Sequence, residues 1–169
     1  MSVRAAKFID VPRIVEIMRE AHRRSRDAER TTFDEVDVKQ LLLRSIQRHG
    51  HTNYMGSLVL ITERDGDVKG FVIGILDLVY PGLKELKVTD LLFMVGEGAD
   101  PRDAREMVLK LIEWGRNNPK VVKVLLGITD DLVEWTRVGD LYKGVGLEQC
   151  GGLFRIEFDR TEQRVKRAS

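Results

Sequence analysis

The chain of 169 residues carries 28 Lys and Arg against 27 Asp and Glu, a formal charge of +1, with 43% hydrophobic and 33% charged residues. That length suits one domain with a sizeable core, and the balanced charge argues against a dedicated nucleic-acid binder, which carries a clear cationic excess. No apolar run approaches the roughly 20 residues that cross a bilayer; no apolar stretch of signal-peptide length opens the chain; and the single Cys150 supports neither an internal disulfide nor a multi-cysteine zinc site. A cytoplasmic protein is expected.

Val3-Arg-Ala-Ala-Lys7 is compatible with a short first strand. Asp10 and Pro12 then favour helix initiation, and Ile14, Ile17, Met18 and Ala21 keep helical spacing to about Arg24. A polar, basic connection leads to a second helix over about 34–49, with Val38, Leu41, Leu42 and Ile46 on one face. The pattern then turns to strands. Ser57–Arg64 and Val68–Val79 flank the hairpin signal Asp65-Gly66-Asp67. Leu86–Val95 is almost wholly apolar, as for a strand buried on both faces. Asp100-Pro101 opens the most regular helix, with Ala104, Met107, Val108, Leu111, Ile112 and Gly115 at a period of 3.6. Val121–Ile128 reads as another buried strand. Asp130 or Asp131 caps a helix through about Tyr142, and Leu153–Phe158 reads as the last strand. The predicted order is β α α β β β α β α β β, one α+β domain over 1–159. The polar tail Arg160–Ser169 is too poor in apolar residues to pack and is expected to be disordered.

That order resembles the GNAT superfamily of N-acetyltransferases, and three stretches carry the resemblance. Val3-Arg-Ala-Ala with Asp10-Val-Pro12 and Ile14-Val-Glu-Ile17-Met is similar to the family's first strand and helix. Leu91-Leu-Phe-Met-Val95 followed by the helix ending Leu111-Ile-Glu-Trp-Gly-Arg116 is similar to its central strand and cofactor helix. Leu141-Tyr-Lys-Gly-Val-Gly-Leu147 resembles its closing helix and turn. The resemblance implies a mixed, mostly antiparallel central sheet with helices on both faces, and an acyl-CoA-dependent N-acyltransferase using acetyl-CoA as co-substrate on an amine acceptor. It also implies splayed fourth and fifth strands with the donor's pantetheine arm between them. Backbone N–H groups of Phe93, Met94 and Val95 would polarise the thioester carbonyl, and Tyr142 would protonate the departing thiolate, as a phenol protonated at neutral pH can. Family members often form homodimers.

The departure lies at the pyrophosphate loop. The family pattern of Arg or Gln, two residues, Gly, one residue, then Gly or Ala falls on Ala99 to Ala104, where only Ala104 fits and Arg102 replaces the middle Gly. Gly96 and Gly98 offer a different cradle; Arg102 and Arg105 could pair with phosphates or with Asp103 and Glu106. Asp100, as an N-cap, would compete for the same amide donors. The candidate cofactor contacts are therefore Phe93 to Gly96, Gly98 and Arg102 to Arg105.

Asp90 and Asp77 are acidic residues within apolar strands. A buried carboxylate with a raised pKa can act as general base; a strand-end carboxylate paired with Lys or Arg is the plainer account. His49 and His51 lack further ligands for a metal site, and Cys150 has no base beside it. Arg23, Arg24, Arg26 and Arg30 form a basic cluster that either solvates a helix end or favours an acceptor carrying an acidic group. Two alternatives to the enzyme stand beside it: a catalytically inactive GNAT-fold protein acting through protein contacts, and a nucleic-acid-associated accessory protein.

Overall fold

The computed structural model describes residues 3–131 and 135–157. Its elements in chain order are β1 (Val3–Ala5), α1 (Val11–Arg24), α2 (Glu35–Gln47), β2 (Ser57–Arg64), β3 (Asp67–Leu78), β4 (Leu86–Val95), α3 (Pro101–Arg116), β5 (Val121–Val124) and α4 (Trp135–Gly144). The five strands form one sheet in the order β1-β2-β3-β4-β5. Every pairing is antiparallel except β4 with β5, which is parallel because α3 makes the crossover between them.

The helix starts follow from their caps. Asp34 accepts from the N–H groups of Val36 and Asp37 at 2.9 and 3.1 Å, and Asp100 accepts from Arg102 at 2.8 Å. At the β2–β3 turn Asp65 and Gly66 both take positive φ, 52° and 77°, the geometry a two-residue hairpin loop requires. That turn sets the register by which alternate β2 residues face opposite sides. Val59 and Ile61 meet Ile14, Ile17, Met18 and Leu42 of α1 and α2, with Phe71 and Ile73 of β3. Leu60 and Val72 meet Met107 and Leu111 of α3 on the other face. The sheet thus has a core on each side, and α3 lies close: a Cβ on Gly115 would stand 3.0 Å from Val88 Cγ2.

Two expectations about strands are corrected. β4 is only half buried, with Leu91 42% and Val95 41% exposed, and β5 stops at Val124 instead of Ile128. One cause serves both: ladder partners run only from Leu86↔Val121 to Val88↔Val124, and beyond them the two strands part. A third correction concerns the end of the chain. Leu153–Glu157 forms no strand, so the two strands expected after α4 are absent from the described residues. The alternation there places charges where they are drawn into ion pairs instead: Arg155 reaches Asp130 at 2.7 Å, and Glu157 accepts from Arg30 at 2.9 Å. Residues 158–169, with Phe158 and the tail expected to be disordered, and residues 132–134, expected to lie in the last helix, are outside the described residues.

Candidate active site

Where β4 and β5 part, β4 keeps one side of its backbone without a strand partner. Gly96 donates its N–H to Lys69 O at 2.7 Å, toward β3. Consecutive strand residues turn their N–H groups to opposite sides, and Val95 pairs with Gly70, Phe93 with Val72. Met94 therefore faces β3 with its N–H, while Phe93 and Val95 turn theirs to the open side. A bulge sits just before them: Ile73 pairs with Leu92 and Gly74 with Asp90, which leaves Leu91 as the extra residue.

The open side borders a cavity of about 640 Å³. Phe93 and Val95 form its strand wall, Gly96 to Pro101 with Ala104 its loop and helix wall, and Arg137, Val138 and Leu141 of α4 its far wall; Arg24 at the end of α1 reaches it too. Of the candidate cofactor contacts, Phe93, Val95, Gly96, Gly98 and Ala104 come together here. Met94 packs on the opposite face against the α1–α2 core. Arg102 and Arg105 are exposed and outside the cavity lining, and Asp103 is buried, accepting from Thr62 Oγ1 at 3.0 Å and Arg64 Nε at 3.2 Å. A second concavity, of about 590 Å³, is formed within the 48–56 loop and gathers none of the candidate site residues.

Tyr142 and Asp90, 52 residues apart, meet. The buried Tyr142 hydroxyl donates to Asp90 Oδ2 at 3.3 Å, and the Gly127 N–H donates to Asp90 Oδ1 at 2.8 Å. The Asp90 carboxylate thus bridges the gap where a β4–β5 ladder would have continued. Burial pushes its pKa up, against the hydrogen bonds that favour the charged form. Burial also raises the Tyr142 pKa, with the adjacent Asp90 charge acting in the same direction. The Tyr142 ring lies 6.4 Å from that of Phe93, a cavity-wall residue, and neither Tyr142 nor Asp90 is in the cavity lining.

The sign of the Asp90 effect is testable. An unfolded Asp releases its proton near pH 3.9, whereas the folded one holds it to higher pH. The native state then binds more protons across that window, and its stability falls as pH rises through it. Asp90→Asn is expected to gain thermal stability relative to wild type as pH rises from 4 to 7, and to show no advantage at pH 3.5; melting curves at each pH check this.

Arg24, Arg137, Val138 and Leu141 were not singled out for the site by their residue types. Val138, Leu141 and Tyr142 do stand at helical spacing on one face, a legible signal, and Arg24 belongs to the basic cluster; Arg137 carries none. Two of the four arginines of that cluster are neutralised within the chain: Arg26 donates to Asp130 at 2.6 Å, and Arg30 pairs with Asp27 and Glu157. Among the other candidates, His49 Nδ1 accepts from the Val59 N–H at 3.1 Å and burial lowers its pKa, Asp77 pairs with Lys87 at 3.3 Å, and Cys150 is exposed.

Solved structures share the architecture. A ribosomal-protein-alanine N-acetyltransferase from Brucella melitensis superposes with a TM-score of 0.68 at 22% identity, covering 89% of this chain and 86% of that one. A Trypanosoma brucei acetyltransferase gives 0.63 at 12% identity over 92% and 98%. Glucosamine-6-phosphate N-acetyltransferase from Arabidopsis thaliana gives 0.64 at 10% identity over 93% and 97%. The chain has the GNAT fold. The sequence resemblance implied that β4 and β5 part, and they do beyond Val88↔Val124. No protein-family model and no curated protein sequence matches the chain, so the GNAT fold is established by structure alone. No helix among the described residues is long and apolar enough to cross a membrane.

Proposed function

We propose that the protein is an N-acetyltransferase that moves an acetyl group from a thioester donor, acetyl-CoA, directly to an amine. The observation that carries this reading is the free side of β4, with the Phe93 and Val95 N–H groups turned toward a cavity walled by α3 and α4. Such N–H groups, fixed by the sheet, stabilise negative charge developing on a thioester oxygen without reorganisation. The structural neighbours named as acetyltransferases support the same chemistry.

In the proposed reaction the neutral amine attacks the carbonyl carbon, the C–S bond breaks, the nitrogen gives up one proton to solvent water, and the thiolate takes one proton. Tyr142 is the proton donor in this scheme. Its raised pKa keeps it protonated at neutral pH, and its ring lies beside that of Phe93, which lines the cavity. Asp90 then serves chiefly to hold Tyr142 and the Gly127 backbone in place. The pantetheine arm of the donor fits the free β4 edge, whose apolar neighbours Phe93, Val95, Val138 and Leu141 suit its methylene chain.

Titration of the full chain with acetyl-CoA tests the reading. Binding at 100 times Kd stabilises a fold by about 2.7 kcal/mol, a clear rise in Tm. A positive result opens an acceptor screen among small amines and peptide N-termini. Absence of any shift at millimolar acetyl-CoA overturns the reading.

A further inference from the structure

We infer that this site recognises its donor through the acyl-pantetheine arm, and that the nucleotide diphosphate of a CoA thioester contributes little to binding. The inference rests on the acyltransferase reading above and concerns which part of the donor is held.

An anion binds a helix N-terminus because the first turn leaves N–H groups without partners. In α3 the chain has already filled them. Pro101 has no N–H; that of Arg102 donates to Asp100 Oδ1 at 2.8 Å, and those of Asp103 and Ala104 reach Asp100 O at 3.0 and 3.3 Å. In the loop before the helix, Gly96 N–H is on Lys69 O at 2.7 Å and Ala99 N–H on Gly96 O at 3.3 Å. The Asp100 carboxylate therefore stands where a phosphate would, and Arg64 holds it: Arg64 Nη2 donates to Asp100 Oδ2 at 2.6 Å, and Arg64 Nε to the buried Asp103 at 3.2 Å. The Arg102 amide and Arg64 hold Asp100 below the usual carboxylate range, so it stays charged at neutral pH.

The charge around the cavity leads to the same result. Arg24 and Arg137 line the cavity together with Glu97 and Asp100, two positive and two negative groups, so the lining itself carries no cationic excess for a polyanion. Arg102, which takes the place of the middle glycine, is turned to solvent and outside the lining. The pantetheine side has no such conflict. The Phe93 and Val95 N–H groups are free on the open edge of β4, where an extended amide-bearing arm pairs as an added strand does.

Calorimetric titration of the full chain with pantetheine, 4′-phosphopantetheine and CoA tests this. A diphosphate held by one or two charge-assisted hydrogen bonds would make CoA about 10- to 100-fold tighter than pantetheine; the expected result is a difference of no more than about threefold across the three ligands. Asp100→Gly frees the Arg102 amide and removes the charge at little cost to the cap; it is expected to tighten CoA at least about tenfold and leave pantetheine unchanged. Asp100→Asn keeps the cap acceptor, and is expected to shift CoA in the same direction should the glycine variant melt early. CoA more than about tenfold tighter than pantetheine in the wild type overturns the inference, as does an unchanged CoA affinity in both variants. Failure of all three ligands at millimolar concentration overturns the acyltransferase reading itself.

Discussion

Tyr142→Phe is expected to lower kcat by about 10²- to 10⁴-fold, the usual contribution of a positioned proton donor, while donor affinity and Tm change little. The ring is buried beside Phe93, and its removal of one oxygen leaves the packing of α4 on β4 intact. What is lost is the only proton aimed at Asp90 Oδ2 from α4 among the described residues. A burst experiment separates the two steps, since loss of the acid slows thiolate release without slowing donor capture. Wild-type turnover in Tyr142→Phe would remove Tyr142 from the mechanism. Asp90→Ala is the companion variant, because it unties both Tyr142 and Gly127 and should widen the gap between the strands.

Gly56→Ala is expected to be the most damaging conservative change in the fold, with a loss of about 3 kcal/mol or more, at the upper end for overpacking. A Cβ there would lie 2.1 Å from the His51 carbonyl oxygen and 2.9 Å from that of Asn53. Both are backbone atoms, and neither can rotate away. The loop is fixed from several directions: Gly56 N–H donates to Asn53 O, Met55 N–H to Leu76 O, and Leu76 N–H to Gly56 O, each at 2.8 Å. Met55 sits at φ 64°, an arrangement a non-glycine residue takes only when its surroundings impose it. Asn118 and Lys120 tie the same loop to the start of β5 at 2.9 and 2.6 Å. Relief of the clash must therefore disturb the ends of β3 and β5 together. Urea unfolding of the variant measures the loss; a midpoint like that of wild type would show that the loop can open.

The elements that could be read from residues alone are those whose signal is local. Asp65-Gly66 announces a turn because both positions need positive φ, and Asp100 announces a helix start because its side chain reaches an amide two residues on. The six apolar positions of α3 state which face meets the sheet. The parting of β4 and β5 could not be read this way. Val121–Ile128 is one apolar run, and such a run looks the same whether it pairs with a neighbour or walls a cavity. The extra residue Leu91 lies within an equally uniform run. Leu153–Glu157 alternates like a strand, but its fate is set by Asp130 and Arg30, more than 20 and 120 residues earlier in sequence. For the site, Tyr142 and Asp90 were each identifiable by type and element, and Asp100 as a competitor for the amides; the hydrogen bond joining Tyr142 to Asp90 depends on how α4 docks. Arg137 shows what remains hidden, a polar residue whose relevance comes only from the wall it stands in.

The one-sided strand also predicts a pattern in time. Amide protons exchange with solvent through openings that range from local to global, and β4 presents two kinds of amide on alternate residues. Leu92 and Met94 turn theirs into the ladder with β3, which is continuous from Gly70↔Val95 to the Leu91 bulge, while Phe93 and Val95 turn theirs to the gap. Deuterium should therefore enter Phe93 and Val95 first and Leu92 and Met94 only with wider opening, a two-residue rhythm within a single strand. A thioester arm laid along the gap should erase that rhythm, so the exchange record of four consecutive residues reports the filling of the site with no reaction required.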